Sequence, residues 1–386
     1  MAATPKCSAN EIARGQTCTT RAATAARIDT LVRQTMRAQR LKAAIVSVRV
    51  DGRNVVTRAY GQSMTGVPAR TNMRFRNGSI AISYLGTLAL RLQERGVIDL
   101  DEPIERWLPR VRDADRVTPR MLLLGTSGYR DYVGYAPFNR AFYANPFRNF
   151  TEGQLIAYAM ARASRCAPGE CWGYSHANFV ILGQVLSRAA GRPLGTLLRR
   201  EVLRPAGLTQ TRAFQTAVVP EPVLHAFTAE RGTYEESTFW NPSWTLARGA
   251  VQVSTIRDVV RSAEVIGGGR LLTPASYAQF VAPSTAGFAP WSPERYYALG
   301  IVSSNSWLIQ NPSFAGQAAA MGYPPSGESR SASPRRAGRA PTARRTSATG
   351  SSAASPGIWS PATAWTHSGD GPRGHRSNRE GQRARG

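Results

Sequence analysis

Three side chains in this sequence pair reactive chemistry with telling positions. Ser79 stands just before an apolar run (Ile80, Tyr84, Leu85, Leu88, Leu92) spaced as a buried helix that closes at Gly96. A serine there can cap the first helical turn. The same place also offers a hydroxyl to free N–H groups and the positive end of the helix dipole, which favour a developing oxyanion. Tyr174-Ser175-His176 sets a phenol and an imidazole two residues apart. Imidazole is the side chain that changes charge near neutrality unaided. His225 and His375 have no such company and read as ordinary surface or loop residues.

Secondary structure must gather these groups. Residues 27–40 carry a helical pattern through Ile28, Leu31, Val32 and Met36. Residues 43–50 and 54–60 read as two strands joined by an Asp51-Gly52 turn. Residues 117–215 read as mostly helical, with 155–161, 179–190 and 194–202 separated by Pro and Gly. Two further strands are predicted at 296–304 and 306–309. The order of strands, helices, strands predicts an α/β (α+β) fold, in which an antiparallel sheet from both chain ends is flanked by helices and carries an all-helical insertion.

The 386 residues are 42% hydrophobic and 9% aromatic, enough for a substantial core and too apolar for wholesale disorder. No apolar run approaches the roughly 20 residues that cross a bilayer. The formal charge is +25, and all but Lys6 and Lys42 of the 49 basic residues are arginines. Such charge suits an anionic partner. The arginines are nevertheless spread along the chain with no nucleic-acid-binding motif, and GC-rich coding produces the same bias, so no nucleic acid is expected. Four cysteines form two close pairs, Cys7 with Cys18 and Cys166 with Cys171. Neither pair is Cys-x-x-Cys and no histidine lies at a finger spacing, which argues against metal. Two short-range disulfides fit best and place the protein in an oxidising compartment, whether periplasm, cell envelope or medium. Residues 1–7 lack an apolar stretch, so the export signal is expected upstream of this sequence. Four reduced thiols in a cytosolic protein are the alternative.

Residues 324–386 differ in kind. They hold 11 arginines against 3 acids, and Ile358 is their only Val, Ile, Leu, Phe or Met. They read as a low-complexity basic tail. The abrupt change after Met321-Gly-Tyr323 favours a sharper reading, a shifted reading frame in GC-rich DNA.

Several ordered segments resemble the serine β-lactamase and penicillin-binding-protein superfamily, in its branch of class C β-lactamases, D-Ala-D-Ala carboxypeptidases and esterases. They are Phe75-Arg-Asn-Gly-Ser79-Ile-Ala-Ile82 with the helix after it, Val117-Thr-Pro through Thr126-Ser-Gly-Tyr-Arg-Asp-Tyr132, Pro168-Gly through Tyr174-Ser-His176, and Pro205-Ala-Gly-Leu-Thr-Gln-Thr211. The resemblance covers about residues 27–323 and implies that family's fold, with Ser79 as nucleophile. The family's Ser-x-x-Lys has its lysine at i+3, on the same helix face as the serine. Here that position is Ile82, which can take no proton. The family's Tyr-x-Asn is matched by Tyr174-Ser-His176. Without the lysine, Tyr174 should hold its proton near neutral pH, and a Ser79–His176 dyad with Tyr174 as donor or orienter would restore a base. The other reading of His176 is a plain substitute for asparagine, or packing against Trp172. The third motif of the family, Lys/His-Thr/Ser-Gly, is matched in letters by His367-Ser-Gly369, which reads as coincidence in the tail. The segment from Phe314 to Tyr323 is the better counterpart but lacks a cation, and Arg248 or another arginine would have to meet a substrate anion.

The resulting expectation is a 1–26 segment with its cysteine pair, a 27–323 serine hydrolase domain with a helical insertion at about 85–240, and the tail. Acyl-enzyme chemistry at Ser79, with Tyr174 and His176, would act on a small ester or amide, a cell-wall peptide among them, with neither metal nor organic cofactor. The alternative is a non-catalytic binder of peptidoglycan or β-lactams.

Overall fold

The computed structural model describes residues 7–14, 17–214 and 216–325. The composition break at 324–386 and His367-Ser-Gly369 therefore lie almost wholly outside the described residues. Strands β1 (Glu11–Arg14) and β2 (Thr17–Thr20) form a hairpin tied by the Cys7–Cys18 disulfide. Thr20 then accepts the N–H of Ala23 and caps α1 (Arg21–Ala38), which begins earlier than its apolar spacing alone indicated. The β3 (Ala43–Val50) and β4 (Arg53–Met64) hairpin follows as the sequence predicts, and β5 (Val67–Pro68) extends it.

Strand β6 (Arg74–Arg76) leads directly into α2 (Ile80–Glu94). Twelve of the fifteen α2 residues are buried, Ile80, Ile82, Tyr84, Leu85 and Leu88 completely. Each large apolar side chain so buried contributes roughly 1.5–3 kcal/mol. α2 is thus the central post of the core. The helical insertion surrounds it with α3 (Pro119–Leu124), α4 (Ala136–Ala144), α5 (Glu152–Met160), α6 (His176–Ala189) and α7 (Leu194–Leu198). A π-helical turn, Arg199–Leu203, continues α7 into α8 (Arg204–Ala206).

The chain returns through β7 (Arg212–Ala213), β8 (Phe227–Thr228), β9 (Glu235–Glu236) and β10 (Gln252–Thr255), then α9 (Ile256–Ser262) and α10 (Pro274–Phe280). It ends in β11 (Arg295–Tyr297), β12 (Val302–Ser304), β13 (Trp307–Gln310), the short hairpin β14 (Ser313–Phe314) with β15 (Gln317–Ala318), and β16 (Met321–Tyr323). Strands β11, β12, β13 and β16 form one antiparallel sheet in that order, while β10 pairs with β6 and β7.

Two expectations need correction. The run 296–304 is not one strand: it turns at Gly300 (φ +80°), where the Ala298 N–H donates to the Ile301 carbonyl. The turn is pressed onto α2, since a Cβ at Gly300 would lie 2.7 Å from the Ile82 carbonyl oxygen and one at Gly86 would lie 2.1 Å from that of Leu299. Side chains are excluded there by space as well as by φ. Second, no strand ladder among the described residues joins the β3–β4 hairpin to the C-terminal sheet. Helix α9 packs against both β3 and β16, so the two layers meet through a helix.

Candidate active site

Ser79 adopts helical dihedrals (φ −63°, ψ −8°) at the head of α2, and its side chain makes no capping bond. The capping role that the sequence allows is therefore not what the hydroxyl does. Ser79 Oγ lies 3.5 Å from Tyr174 Oη. The Ser79 N–H donates to no backbone carbonyl among the described residues, whereas those of Ile80, Ala81 and Ile82 close the first turn. Ile82 is fully buried. Ser83 donates to the Ile80 carbonyl and acts as a helix residue only.

A braced loop presents Tyr174 and His176. Three backbone bonds of 2.8 Å, Gly173 to Gly125, Gly169 to Thr126 and Arg165 to Gly128, zip residues 165–173 to the turn after α3. Gly128 must be glycine, because a Cβ there would sit 2.3 Å from the Cys166 carbonyl oxygen. The Cys166–Cys171 disulfide closes the same loop, and Ser127 Oγ donates to Asn178 Oδ1 at 2.7 Å, pinning α6 beneath it. Part of the Tyr174 ring remains exposed, yet desolvation of its hydroxyl drives its pKa well above the ordinary phenol value, a rise that the charge on Asp131 adds to and the Ser79 contact only partly offsets. The Tyr174 hydroxyl is accordingly protonated at neutral pH.

His176 begins α6 and turns to Asp131. Its backbone N–H donates to Asp131 Oδ1 at 3.1 Å, and its Nδ1 lies 3.1 and 2.9 Å from the two carboxylate oxygens. The imidazole meets Tyr174 edge to face, with centroids 5.2 Å apart, and Trp244 at 5.5 Å, not the Trp172 that the sequence brought to mind. No hydrogen bond links His176 to Ser79 among the described residues. Asp131 was missed in the sequence although it sits in the quoted Tyr129-Arg-Asp-Tyr132 run, because nothing in its spacing ties it to His176, 45 residues on.

The opposite wall is the C-terminal sheet. A Cβ at Gly78 would meet Pro312 Cβ at 2.5 Å, so the β13–β14 connection lies against the residue before Ser79. Phe314 stacks on Trp244, continuing an aromatic wall from His176. Gln310, at the end of β13, is buried and donates to the Gly300 carbonyl at 2.7 Å. Arg76 is also buried: its Nη2 donates to the Ala217 carbonyl, its Nε and Nη1 have no hydrogen-bond partner among the described residues, and desolvation lowers its pKa to about 10. It faces a cavity of about 20 Å³ beside Gly78 and Pro312, the size of a single water. Arg248 instead lines a different groove, with Arg188 and Arg199. His225 pairs with Glu236 at 2.5 Å. No group of three or more His, Cys, Asp or Glu side chains gathers as a metal site among the described residues, and no helix among them is long and apolar enough to cross a membrane.

A serine heading an interior helix, met by a tyrosine from a helical insertion and walled by an antiparallel sheet, defines the class of serine hydrolases built on the β-lactamase and transpeptidase fold. The chain belongs to the Beta-lactamase family, whose profile matches residues 28–380 and so also spans His367-Ser-Gly369. Among curated proteins it is similar to Esterase EstB of Burkholderia gladioli, with 33% identity over 204 residues, covering 48% of this chain and 51% of that protein. It is also similar to Penicillin-binding protein 4* of Bacillus subtilis, with 27% identity over 170 residues, covering 43% and 36%. The chain thus spans about half or less of these relatives. Among solved structures, a D-stereospecific amidohydrolase from Streptomyces sp. superposes with TM-score 0.66 at 26% identity, covering 77% of this chain and 94% of that one. The octameric penicillin-binding protein homologue from Pyrococcus abyssi gives 0.67 at 19%, covering 78% and 70%. These neighbours support a hydrolase role, and the two disulfides together with the penicillin-binding relatives are consistent with export.

Proposed function

We propose that this chain hydrolyses a small ester or amide through an acyl-enzyme on Ser79, with Tyr174 and the Asp131–His176 pair moving the proton that a lysine moves elsewhere in the family. The observation that carries this reading is the 3.5 Å approach of Ser79 Oγ to Tyr174 Oη at the head of α2. Contacts of this kind are often long before substrate binds. Ile82 occupies the lysine position and contributes only packing. Tyr174, held protonated, serves as a relay: it accepts the Ser79 proton as it passes its own to the imidazole, which meets the phenol ring edge to face and must gain a hydrogen bond to its hydroxyl when substrate binds, since none joins them among the described residues. His176 suits the end of that relay, because Asp131 takes the Nδ1 proton and leaves Nε2 as the acceptor.

Ser79 Oγ then bonds to the acyl carbon, and the alkoxide or amine leaves with the proton returned from His176. A water, deprotonated along the same path, cleaves the acyl-serine and frees the acid. The oxyanion falls at the start of α2, where the Ser79 N–H is available. The likeness to an esterase and an amidohydrolase supports a small ester or amide, and the penicillin-binding relatives support a cell-wall peptide as the substrate in an exported setting.

One observation favours a second reading, a non-catalytic binder: the complete burial of a hydrocarbon at Ile82, one turn from the nucleophile. A fluorophosphonate probe on the full chain decides between them. Stoichiometric labelling that maps to Ser79 and vanishes in Ser79→Ala supports the hydrolase, whereas folded protein that stays unlabelled from neutral to alkaline pH supports the binder.

A further inference from the structure

A second concave site lies at the far end of α6. A groove of about 1110 Å³ runs between the C-terminal half of that helix, the α7–α8 segment, β7 and the Arg248-Gly249 turn. Gly183, the first α6 residue in its lining, is seven residues past His176, a rise of roughly 10 Å along the helix, and Arg188 is five residues further on. Among the described residues five exposed arginines line it, Arg188, Arg199, Arg204, Arg212 and Arg248, against a single carboxylate, Glu152. That carboxylate is already committed, accepting the Arg248 N–H at 2.7 Å and Gln184 Nε2 at 3.1 Å. Arg188 is braced by the Trp107 carbonyl. Arg199, Arg204 and Arg212 pair with no carboxylate among the described residues, although the neighbouring Arg200 takes Glu201.

The groove's chemistry narrows its ligand. Guanidinium groups offer paired N–H donors that match phosphate oxygens. The volume exceeds what one phosphate needs and falls at the upper end of sites for drug-sized molecules. No aromatic side chain among the described residues lines it, which removes the platform on which bases would stack. Its leucines, Leu194, Leu203 and Leu208, are buried in the floor and offer nothing to insert into a bilayer. We infer that this groove binds a flexible, base-free chain of phosphates, a phosphodiester polymer or polyphosphate, with Arg199, Arg204 and Arg212 as its principal contacts. The site is independent of the chemistry at Ser79.

The chain as a whole carries +25, so the test must separate the groove from total charge. Labelled inorganic polyphosphate is titrated into the full chain by fluorescence anisotropy across a salt series, using the native protein and two triple variants. Arg199→Ser, Arg204→Ser and Arg212→Ser strip the groove; Arg37→Ser, Arg110→Ser and Arg140→Ser remove the same charge from exposed positions elsewhere. The groove variant should bind at least about tenfold more weakly at physiological salt and lose about 2 from the slope of log K against log salt, three contacts at roughly 0.7 each. The control variant should match the native protein. Equal weakening in both variants, or none in the groove variant, overturns the site. Polyglutamate, single-stranded DNA or phosphatidylglycerol vesicles bound as tightly as polyphosphate through the same three arginines would overturn the ligand class. A glycerol-phosphate polymer competing with polyphosphate would support it and favour the phosphodiester source. All six substituted side chains are exposed, and matching urea unfolding curves establish that each variant is folded.

Discussion

His176 gives Asp131 both its backbone N–H, at 3.1 Å, and its Nδ1, at 2.9 Å from the second carboxylate oxygen. One aspartate therefore holds both the first turn of α6 and the orientation of the imidazole that begins it. The imidazole so held stands edge-on to the tyrosine that lies 3.5 Å from Ser79 Oγ. In the proposed mechanism Asp131 touches no reacting atom and acts only by positioning His176. Its own backbone is tied down as well, since Arg162 donates to the Asp131 carbonyl at 3.0 Å.

Asp131→Asn separates the two jobs. An asparagine oxygen still accepts the His176 N–H, so the start of α6 should survive, with stability changed by less than about 1 kcal/mol. The amide cannot stabilise an imidazolium, so Ser79 acylation by a chromogenic ester should slow by about 10²- to 10⁴-fold. His176→Asn should lose as much, and the double variant no more than either alone, because the pair acts as a unit. Unchanged acylation in Asp131→Asn would leave His176 a packing residue and remove it from the relay.

Tyr174→Phe tests the relay through pH. Burial holds the phenol above its ordinary value near 10, so its proton is present throughout the range where an ester assay is practical. Loss of the hydroxyl should therefore lower acylation by about 10- to 100-fold at every pH from weakly acid to weakly alkaline, leaving the shape of the profile intact. A rising limb in the native profile that disappears in Tyr174→Phe would identify a phenolate base instead, and the relay would be wrong.

The Cys166–Cys171 disulfide spans five residues of sequence just before Tyr174. Loop-closure entropy for so short a ring contributes about 2 kcal/mol. Cys166→Ser with Cys171→Ser should lower unfolding free energy by about that much in urea. Because the same loop is zipped to residues 125–128, the variant should remain folded, and its acylation should fall by more than stability accounts for, as Tyr174 and His176 lose their fixed approach. Full acylation in a destabilised variant would make the disulfide a staple without a role at the site.

How far the sequence foretold these features depends on how local their causes are. The β3–β4 hairpin, α2 and both disulfides follow from alternation, helical spacing and short cysteine separations, all of which act between near neighbours. Ser79 and Tyr174 stand 95 residues apart, and only the order of the surrounding motifs indicated that they meet. Asp131 could not be assigned from spacing, because its partner lies 45 residues on and acids in loops are common. Gly300 was hidden for a related reason. Its run reads as one strand, and only the close approach of Gly300 to Ile82 and of Leu299 to Gly86 on α2 shows why it must turn there. The Arg-lined groove was likewise submerged in a chain where arginine is everywhere; concavity, not composition, singles it out.

Glu201 links the post of the core to the π-helical turn and gives a stability prediction independent of catalysis. Its side chain is almost fully buried, and Arg95, Arg200 and Arg91 reach it at 2.6, 2.9 and 3.4 Å. Desolvation pushes the carboxyl pKa up, but hydrogen bonds and charge from Arg95 and Arg91 outweigh it, and the net shift is downward. A carboxylate whose folded value is depressed stabilises the protein above its unfolded pKa of about 4.3, and that contribution is lost as pH falls through the lower folded value. Glu201→Gln should therefore cost about 2 kcal/mol at pH 7, less than a wholly buried pair because the arginines reach solvent. The gap between native and variant unfolding curves should close progressively below about pH 4, where the native carboxylate takes up its proton. A gap that stays constant into strong acid would mean that Glu201 acts through shape and hydrogen bonding alone, and not through its charge.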